Sequence, residues 1–453
     1  MISRILLPVL AIVFSCGITA AQQANGVPPI LEQYVKADDG VFRWENIKEL
    51  PSPLPTVKLT LLEVTSIKWH DYTWKHKMIA AMPEKPVSVT HALMYISQNN
   101  NDWMPGDGDF KTAAVLASKI KLPVCILFQV PNQPCDPRKT AQNDGQWVES
   151  HLLAESIIKA METNDPTWAV PLPMTKSVLK SMTAAQEFFK QRYEAPVNSL
   201  IVGGSSKRGW ITWLVGASKD PRVAGLIPVI YNNLNLPAQI NGQAETWGYV
   251  SPQIVEFSSR DVLNPGEVPS DGKALMIKVL DPYYHLDTMK TPKLLIHGAN
   301  DPYWLVDATK YYYDKIQGPK FLITVPDMAH QDLDSSANLS RLGPSVGIFC
   351  RRIASGDKFP TLTWDLKDKG QEWEVTIHTE IPGTKKILWT AYCDDNQFTK
   401  EKPQRVQWSS KELGDADSIT VPKPSKGHIA FFVELRALVE DEPLGLTTEV
   451  WRF

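Results

Sequence analysis

Residues 202–210 read Val-Gly-Gly-Ser-Ser-Lys-Arg-Gly-Trp and connect two apolar segments. The segment before them, 195–201, contains Pro196 near its start and is typical of a buried strand, and residues 211–218 are typical of a helix. A strand, a tight glycine turn and a helix are the setting of a nucleophile elbow, in which a serine lies at a strained bend with its hydroxyl above the sheet. The amides at the start of such a helix can bind a developing oxyanion. We therefore predict a nucleophilic serine here; the simpler alternative is a glycine-rich turn whose serines have no role.

Two serines compete for this position, because the usual elbow pattern is Gly-x-Ser-x-Gly. With Ser206 as the nucleophile, Gly204 fills the first glycine position, but the second glycine, Gly209, comes one residue late. With Ser205 as the nucleophile, Lys207 occupies the second glycine position. We favour Ser206, because it leaves Gly209 where the helix must pack closely against the strand.

A serine hydroxyl becomes a good nucleophile only beside a base, and the base needs an acid to orient it. In α/β-hydrolases the order along the chain is Ser, acid, His, and the last two follow late strands. The predicted strand 293–298 ends shortly before Asp301, and the predicted strand 320–325 ends shortly before His330. Ser206, Asp301 and His330 therefore have the order and positions of a catalytic triad. The alternatives are Asp307 or Asp327 as the acid and His297 as the base.

An oxyanion hole needs two donors. We expect the backbone N–H of Lys207 to be one, and the loop after the apolar strand 90–97 to supply the other, with Gln98 as the candidate. Lys207 and Arg208 are unusual residues beside a nucleophile. Their charges could stabilise an oxyanion, hold an acidic group of the substrate, or form a salt bridge that fixes the turn.

The chain has 453 residues, enough for two or three domains. Residues 22–356 are predicted to form an α/β-hydrolase domain with a mostly parallel sheet, because strands and helices alternate along much of it. Its first part, 22–55, is polar and rich in proline, so we expect it to lie over the surface. The irregular insertion 235–290 is a candidate lid.

After residue 356 the pattern changes to short alternating strands with turn signals and no helix. This pattern predicts a small β-sandwich over 357–453. We expect it to serve binding or packing, which leaves a protein partner open to it. A net charge of -3 and the lack of a basic block argue against nucleic-acid binding.

Residues 1–21 are typical of a signal peptide, with Arg4 before a short apolar core and small residues near the cleavage point. The apolar core is too short to span a membrane comfortably, so we expect no transmembrane span in the mature chain, which would be periplasmic or extracellular. Acylation of Cys16, as in a lipoprotein, is the weaker alternative. In an exported chain Cys125 and Cys135 could form a disulfide, or all four remaining cysteines could be buried thiols.

Several motifs resemble those of the PhoPQ-activated pathogenicity-related proteins, a family that also includes secreted proliferation-repressor proteins of amoebae. The motifs are the elbow with its Lys-Arg-Gly-Trp tail and the segments 130–134, 172–176, 298–304 and 430–435. The resemblance runs from about Leu31 to the C-terminus. It implies an exported α/β-hydrolase with a β-rich tail, and it places the triad at Ser206, Asp301 and His330.

The chain departs from the family pattern in two places. Ser205 stands where the family more often has Ala, and the loop 97–102 is poorer in glycine than the family's loop.

From these observations we predict a serine hydrolase that acts on an ester; a peptide is the weaker alternative as its substrate. The ester would be a small molecule or a polymer, and the reaction needs neither a metal nor an organic cofactor. The competing hypothesis is a non-catalytic secreted binding or signalling protein on the same scaffold.

Overall fold

The computed structural model describes residues 26–137, 147–262, 264–399 and 405–453. The predicted signal peptide 1–21, with Cys16, lies outside the described residues. In the described part of the chain the larger sheet has nine strands in the order β1-β2-β3-β5-β4-β6-β7-β8-β9. These strands are β1 (Arg43–Leu50), β2 (Val57–Trp69), β3 (Tyr72–Pro83), β4 (His91–Ile96), β5 (Val124–Leu127), β6 (Ser199–Ser205), β7 (Val223–Val229), β8 (Lys293–Gly298) and β9 (Lys320–Val325).

The sheet is antiparallel from β1 to β5 and parallel across β5-β4-β6-β7-β8-β9. In the parallel part the carboxyl ends of the strands share one edge, which brings the loops after β6, β8 and β9 together. The prediction of an α/β-hydrolase fold with a mostly parallel sheet is confirmed.

Helices cover both faces of the sheet, as its apolar strands require. The described α-helices are α1 (Ile30–Lys36), α2 (Asp107–Ile120), α3 (Glu149–Thr163), α4 (Pro171–Tyr193), α5 (Lys207–Ala217), α6 (Leu236–Trp247), α7 (Val255–Ser258), α8 (Asp271–Leu280) and α9 (Ser336–Ser355). Buried residues of β6 alternate between two cores. Val202 packs in the core that contains residues of α4 and α5, and Ile201 packs in the core that contains residues of α2 and α9.

The segment 22–55, expected to lie over the surface, contains β1, an edge strand that pairs with β2, and most side chains of β1 are exposed. Between Asp301 and His330 the sequence leaves room for a helix near residues 306–315, but the structure has two short 3-10 turns there, Ala308–Tyr311 and Tyr313–Lys315. The break falls at Tyr312, where φ is -152° and the buried ring places its hydroxyl 2.6 Å from Asn232 Oδ1.

The C-terminal part consists of strands in two antiparallel sheets. One sheet contains β10 (Leu362–Asp368), β11 (Glu372–Thr379) and β14 (Ser418–Pro422). The other contains β12 (Lys385–Cys393), β13 (Ser409–Gly414), β15 (His428–Val439), β16 (Glu442–Thr447) and β17 (Trp451–Arg452). Trp373, Val375 and Phe431 belong to a core shared by both sheets. The hydroxyl of Thr447 accepts a hydrogen bond from Thr324 N of β9 at 3.0 Å, so this part also contacts the larger sheet.

Cys125, Cys135, Cys350 and Cys393 are free thiols, and the first three are buried. The disulfide considered for Cys125 and Cys135 is therefore not formed in this structure. Among the described residues, no helix combines the length and the apolar character that crossing a membrane requires.

Candidate active site

Ser206 lies between β6 and α5 with φ of +56° and ψ of -125°. A residue other than glycine rarely adopts such a backbone conformation, and this strain is typical of a nucleophile elbow. Two glycines permit the close packing around it. A Cβ on Gly204 would lie 2.8 Å from Arg208 O, and a Cβ on Gly209 would lie 2.8 Å from Tyr231 Cβ. The glycine that comes one residue late in the sequence is thus the residue at which α5 meets the end of β7.

The three predicted triad side chains lie together. Ser206 Oγ is 2.9 Å from His330 Nε2, and His330 Nδ1 is 2.8 Å from Asp301 Oδ2. The other oxygen of Asp301 accepts a hydrogen bond from Tyr303 N at 3.1 Å. With the serine hydroxyl donating to Nε2, the Nδ1–H donates to Asp301, which is the tautomer that a general base needs.

The alternative acids, Asp307 and Asp327, and the alternative base, His297, have other partners in the structure. Asp307 is paired with Lys310 and Arg452, and Asp327 accepts a hydrogen bond from Trp408 N at 3.0 Å. His297 is buried in β8, where desolvation lowers its pKa to about 3, and its Nε2 is 3.2 Å from Tyr312 Oη. His297 is therefore neutral, and its ring bonds to Tyr312, whereas the histidine bonded to Ser206 is His330.

Ser205 ends β6 and is hydrogen-bonded to the side chain of Tyr95 in β4. It is not among the described residues that line the cleft around Ser206. The structure thus places the two adjacent serines in different environments, with only Ser206 against a histidine.

The charged residues after Ser206 form a cluster with Glu149 at the start of α3. Arg208 donates to both carboxylate oxygens of Glu149, at 2.7 and 2.8 Å, and its Nε donates to Val130 O at 2.6 Å. Lys207 Nζ is 3.6 Å from Glu149 Oε2. Burial alone would raise the pKa of Glu149, but the hydrogen bonds and charge of Arg208, with the charge of Lys207, lower it to about 2. Arg208 thus forms a salt bridge that fixes the turn.

Gln98 lies in the loop after β4, and its side chain is exposed. Its carbonyl accepts a hydrogen bond from Gln129 N at 3.0 Å. Gln98 is not among the described residues that line the cleft, whereas Lys207 is. The loop itself is held by the Gln129 amide, which donates to the carbonyls of Asn100 and Asn101.

A cleft of about 950 Å³, including its open part, leads to Ser206 and His330. Its wall is mostly apolar and comes largely from the insertion 235–290 and from α3. The insertion contributes Leu236, Gln253, Ile254, Phe257, Val262, Lys273, Met276, Ile277, Leu280 and Asp281, and α3 contributes Ser150, Ile157 and Met161. Trp210 and Tyr231 also line it, with their rings stacked at a centroid distance of 5.9 Å.

The loops that carry Asp301 and His330 are bonded to the C-terminal part of the chain. Buried Asn300, next to Asp301, donates to Phe398 O at 3.2 Å and to Val406 O at 2.9 Å. Arg405 Nη1 donates to Asp327 O at 3.1 Å and to Asp332 Oδ2 at 2.5 Å, on either side of His330. The sequence contained no signal for these contacts or for Glu149, because each joins residues far apart in the chain.

A family model described as PhoPQ-activated pathogenicity-related protein matches residues 31–398. Autocrine proliferation repressor protein A of Dictyostelium discoideum is 28% identical over 458 residues, which cover 93% of this chain and 89% of that protein. Two acetyl xylan esterases are similar in structure. Acetyl xylan esterase 1 from Thermoanaerobacterium sp. is 14% identical with a TM-score of 0.47, over 70% of this chain and 93% of that chain. The enzyme from Paenibacillus sp. R4 is 12% identical with a TM-score of 0.47, over 72% and 92%.

Proposed function

Because this chain belongs to the PhoPQ-activated pathogenicity-related protein family and has an α/β-hydrolase fold, we propose that it is an exported serine hydrolase that cleaves an ester. The observation that carries the proposal is the hydrogen-bonded series Ser206, His330 and Asp301 at 2.9 and 2.8 Å, with Ser206 in a strained elbow. A strained backbone persists only where surrounding structure enforces it, which is common at catalytic residues.

In the proposed reaction Ser206 Oγ attacks the acyl carbon while His330 Nε2 takes the hydroxyl proton. Asp301 orients the imidazole and stabilises its protonated form. The oxyanion that forms lies at the N-terminus of α5, where the Lys207 N–H is the first donor. The candidate second donor is the backbone N–H of Gln98, whose side chain is exposed and is not among the described groups that line the cleft. His330 then protonates the leaving alcohol, and a water molecule activated by the same histidine hydrolyses the acyl-enzyme.

We assign the remaining predicted features as parts of this proposal. Residues 22–356 form the hydrolase domain, residues 357–453 form the β-domain, and the insertion 235–290 covers the cleft as a lid. Residues 1–21 direct export. The apolar wall of the cleft favours a small ester over a peptide, because a peptide needs polar groups to pair with its backbone.

One observation supports a second candidate function. The relative from Dictyostelium is named as a repressor of proliferation, and that name describes regulation and not hydrolysis. The competing candidate is therefore a secreted signalling protein that acts through its surface. Such a protein would not need a reactive serine.

The test is labelling of the purified protein with a fluorophosphonate probe, which reacts with activated serines. We expect the wild type to be labelled and both Ser206→Ala and His330→Ala to lose labelling. Ser205→Ala is the matched control and should keep it, because the Ser205 hydroxyl is bonded to Tyr95. Absence of labelling in folded wild type would favour the signalling function, and loss of labelling in Ser205→Ala alone would move the nucleophile to that residue.

A further inference from the structure

The cleft contains the ammonium group of Lys207, next to the nucleophile, and no acidic side chain forms a close hydrogen bond with it among the described residues. Lys207 follows Ser206 directly and lines the cleft, and its side chain is 19% exposed. Its acidic neighbour, Glu149, has an oxygen 3.6 Å from Lys207 Nζ, which is long for a hydrogen bond. The ammonium group has three N–H donors, so most of its hydrogen-bonding capacity is open to another acceptor.

Glu149 is already committed to other donors. Its two oxygens accept from both terminal nitrogens of Arg208, and Oε1 also accepts from Gln133 Nε2 at 2.8 Å. Arg208 and Glu149 therefore neutralise each other, and the three charges of Lys207, Arg208 and Glu149 sum to one positive charge. The next carboxylate, Glu256, favours the charged form of Lys207 only through its charge, and it lies 3.5 Å from Arg260 and 3.8 Å from His151.

Burial lowers the pKa of Lys207, because a charge away from water is costly, and the charge and the long contact of Glu149 oppose that shift only in part. An anion in the cleft would remove much of that cost. The other lysine of the cleft, Lys273, does not offer the same opportunity, since both oxygens of Glu267 accept from its Nζ at 2.5 and 2.7 Å.

The remainder of the ligand is set by the cleft wall, which is mostly apolar. Its apolar side chains include those of Ile157, Met161, Phe257, Met276 and Trp304. A ligand that satisfies both features has one anionic group close to the reacting carbonyl and a compact apolar body.

We propose that Lys207 Nζ binds a carboxylate of the substrate, so that the site prefers esters carrying a carboxylate within a few bonds of the scissile carbonyl. This inference rests on the proposed function. Lys207 thereby has two separate roles. Its backbone N–H faces the oxyanion, and its side chain selects the substrate.

The test compares monoethyl succinate with ethyl pentanoate, which have acyl groups of similar length and differ in the terminal carboxylate. Ethanol release gives kcat/KM for each ester. We expect the wild type to prefer monoethyl succinate, and Lys207→Met to reduce the ratio of the two kcat/KM values by about tenfold, as loss of a charge-assisted hydrogen bond implies. Lys207→Arg should restore much of the ratio.

Lys273→Met is the matched control, because it removes a cleft lysine whose charge is already neutralised, and it should keep the wild-type ratio. A wild type with no preference for monoethyl succinate, or an unchanged ratio in Lys207→Met, would show the inference to be wrong. Fluorophosphonate labelling of the wild type distinguishes failure of the substrate inference from failure of the proposed function. If the wild type is labelled but does not prefer monoethyl succinate, only the substrate inference is wrong. If the wild type is not labelled, the proposed hydrolase function is wrong as well.

Discussion

Ser206 is held by contacts inside the α/β part of the chain, whereas Asp301 and His330 lie on loops that the C-terminal part holds. On the nucleophile side, Arg208 and Glu149 connect the start of α5 to the start of α3. On the acid and base side, backbone and side-chain groups of Phe398, Arg405, Val406 and Trp408 bond to the loops after β8 and β9. The two sides meet in the hydrogen bond between Ser206 Oγ and His330 Nε2.

This difference indicates what the C-terminal strands contribute to the site. A nucleophile elbow is rigid because its strand, glycines and helix fix it locally. Loops after strands have fewer such constraints and need support to hold a side chain within a fraction of an ångström. The C-terminal part supplies that support for two of the three triad residues, so removal of its contacts should affect reactivity more than fold.

The largest effect is expected from Glu149→Gln, which removes the charge that pairs with buried Arg208. Breaking a buried ion pair typically costs about 3–5 kcal/mol of unfolding free energy, and we expect roughly 2–3 kcal/mol here since Glu149 keeps some contact with water. Because Arg208 lies in the first turn of α5, the rate of fluorophosphonate labelling should also fall, by about tenfold. Thermal unfolding and labelling at a temperature where the variant is folded measure the two effects.

Glu155→Gln is the matched control for that variant. Glu155 is also on α3, and it accepts a hydrogen bond from Arg260 in the insertion at 2.8 Å. Glu155→Gln should lower stability, but it should slow labelling less than Glu149→Gln does. Equal labelling rates in Glu149→Gln and wild type would mean that the ion pair does not hold the nucleophile.

A smaller effect is expected from Arg405→Ala on the other side of the site. The change removes hydrogen bonds to Asp327 O and Asp332 Oδ2, on the loop that carries His330, and should cost about 1–3 kcal/mol of stability. We expect labelling to slow several-fold, because a misplaced base transfers the proton less efficiently. Labelling reactions stopped at successive times give the labelling rate, and thermal unfolding gives the loss of stability.

The comparison for Arg405→Ala is Lys386→Met, which removes a buried lysine bonded to Asp415 O and Asp417 within the C-terminal part. It should destabilise the protein to a similar degree and leave labelling at the wild-type rate. If both variants slow labelling equally, the effect of Arg405 is general destabilisation and not positioning of the loop.

Much of the fold and the triad geometry could be anticipated from the sequence, because those signals are local. Ser206 lies in a strand, turn and helix pattern, and Asp301 and His330 follow apolar strands directly. The cluster around the elbow could not be predicted in the same way. Glu149 is 59 residues from Arg208 in the chain, and nothing in its neighbourhood distinguishes it from a surface glutamate.

Two features of secondary structure that the sequence did not indicate, β1 and the break at Tyr312, have related physical causes. β1 is an edge strand, so most of its side chains are exposed on both faces and its sequence lacks the alternation that identifies a half-buried strand. The segment around Tyr312 has the composition of a short helix, but burial of the Tyr312 ring against Asn232 interrupts it. In both places tertiary contacts outweigh local preference.

The smallest effect on reactivity is expected at Glu449, which joins the two parts of the chain at Thr309, eight residues beyond Asp301. It interacts with Thr309 and Trp364, and burial together with the Asp314 carboxylate raises its pKa from 4.5 to about 7. The folded protein therefore keeps a proton that the unfolded chain releases, so the free energy of unfolding falls as the pH rises from about 4.5 to about 7.

Glu449→Gln mimics the protonated side chain at every pH. We expect it to raise the unfolding free energy at pH 8 by roughly 1–2 kcal/mol over the wild type and to leave the two proteins nearly equal at pH 4.5. Labelling of Ser206 should be unchanged at both pH values. Chemical denaturation across this pH range measures the stability. Glu449 and Arg405 both join the C-terminal part to the α/β part. If labelling also changes in Glu449→Gln, then contacts between the two parts affect the site in general. The contacts around His330 would then have no special role in positioning it.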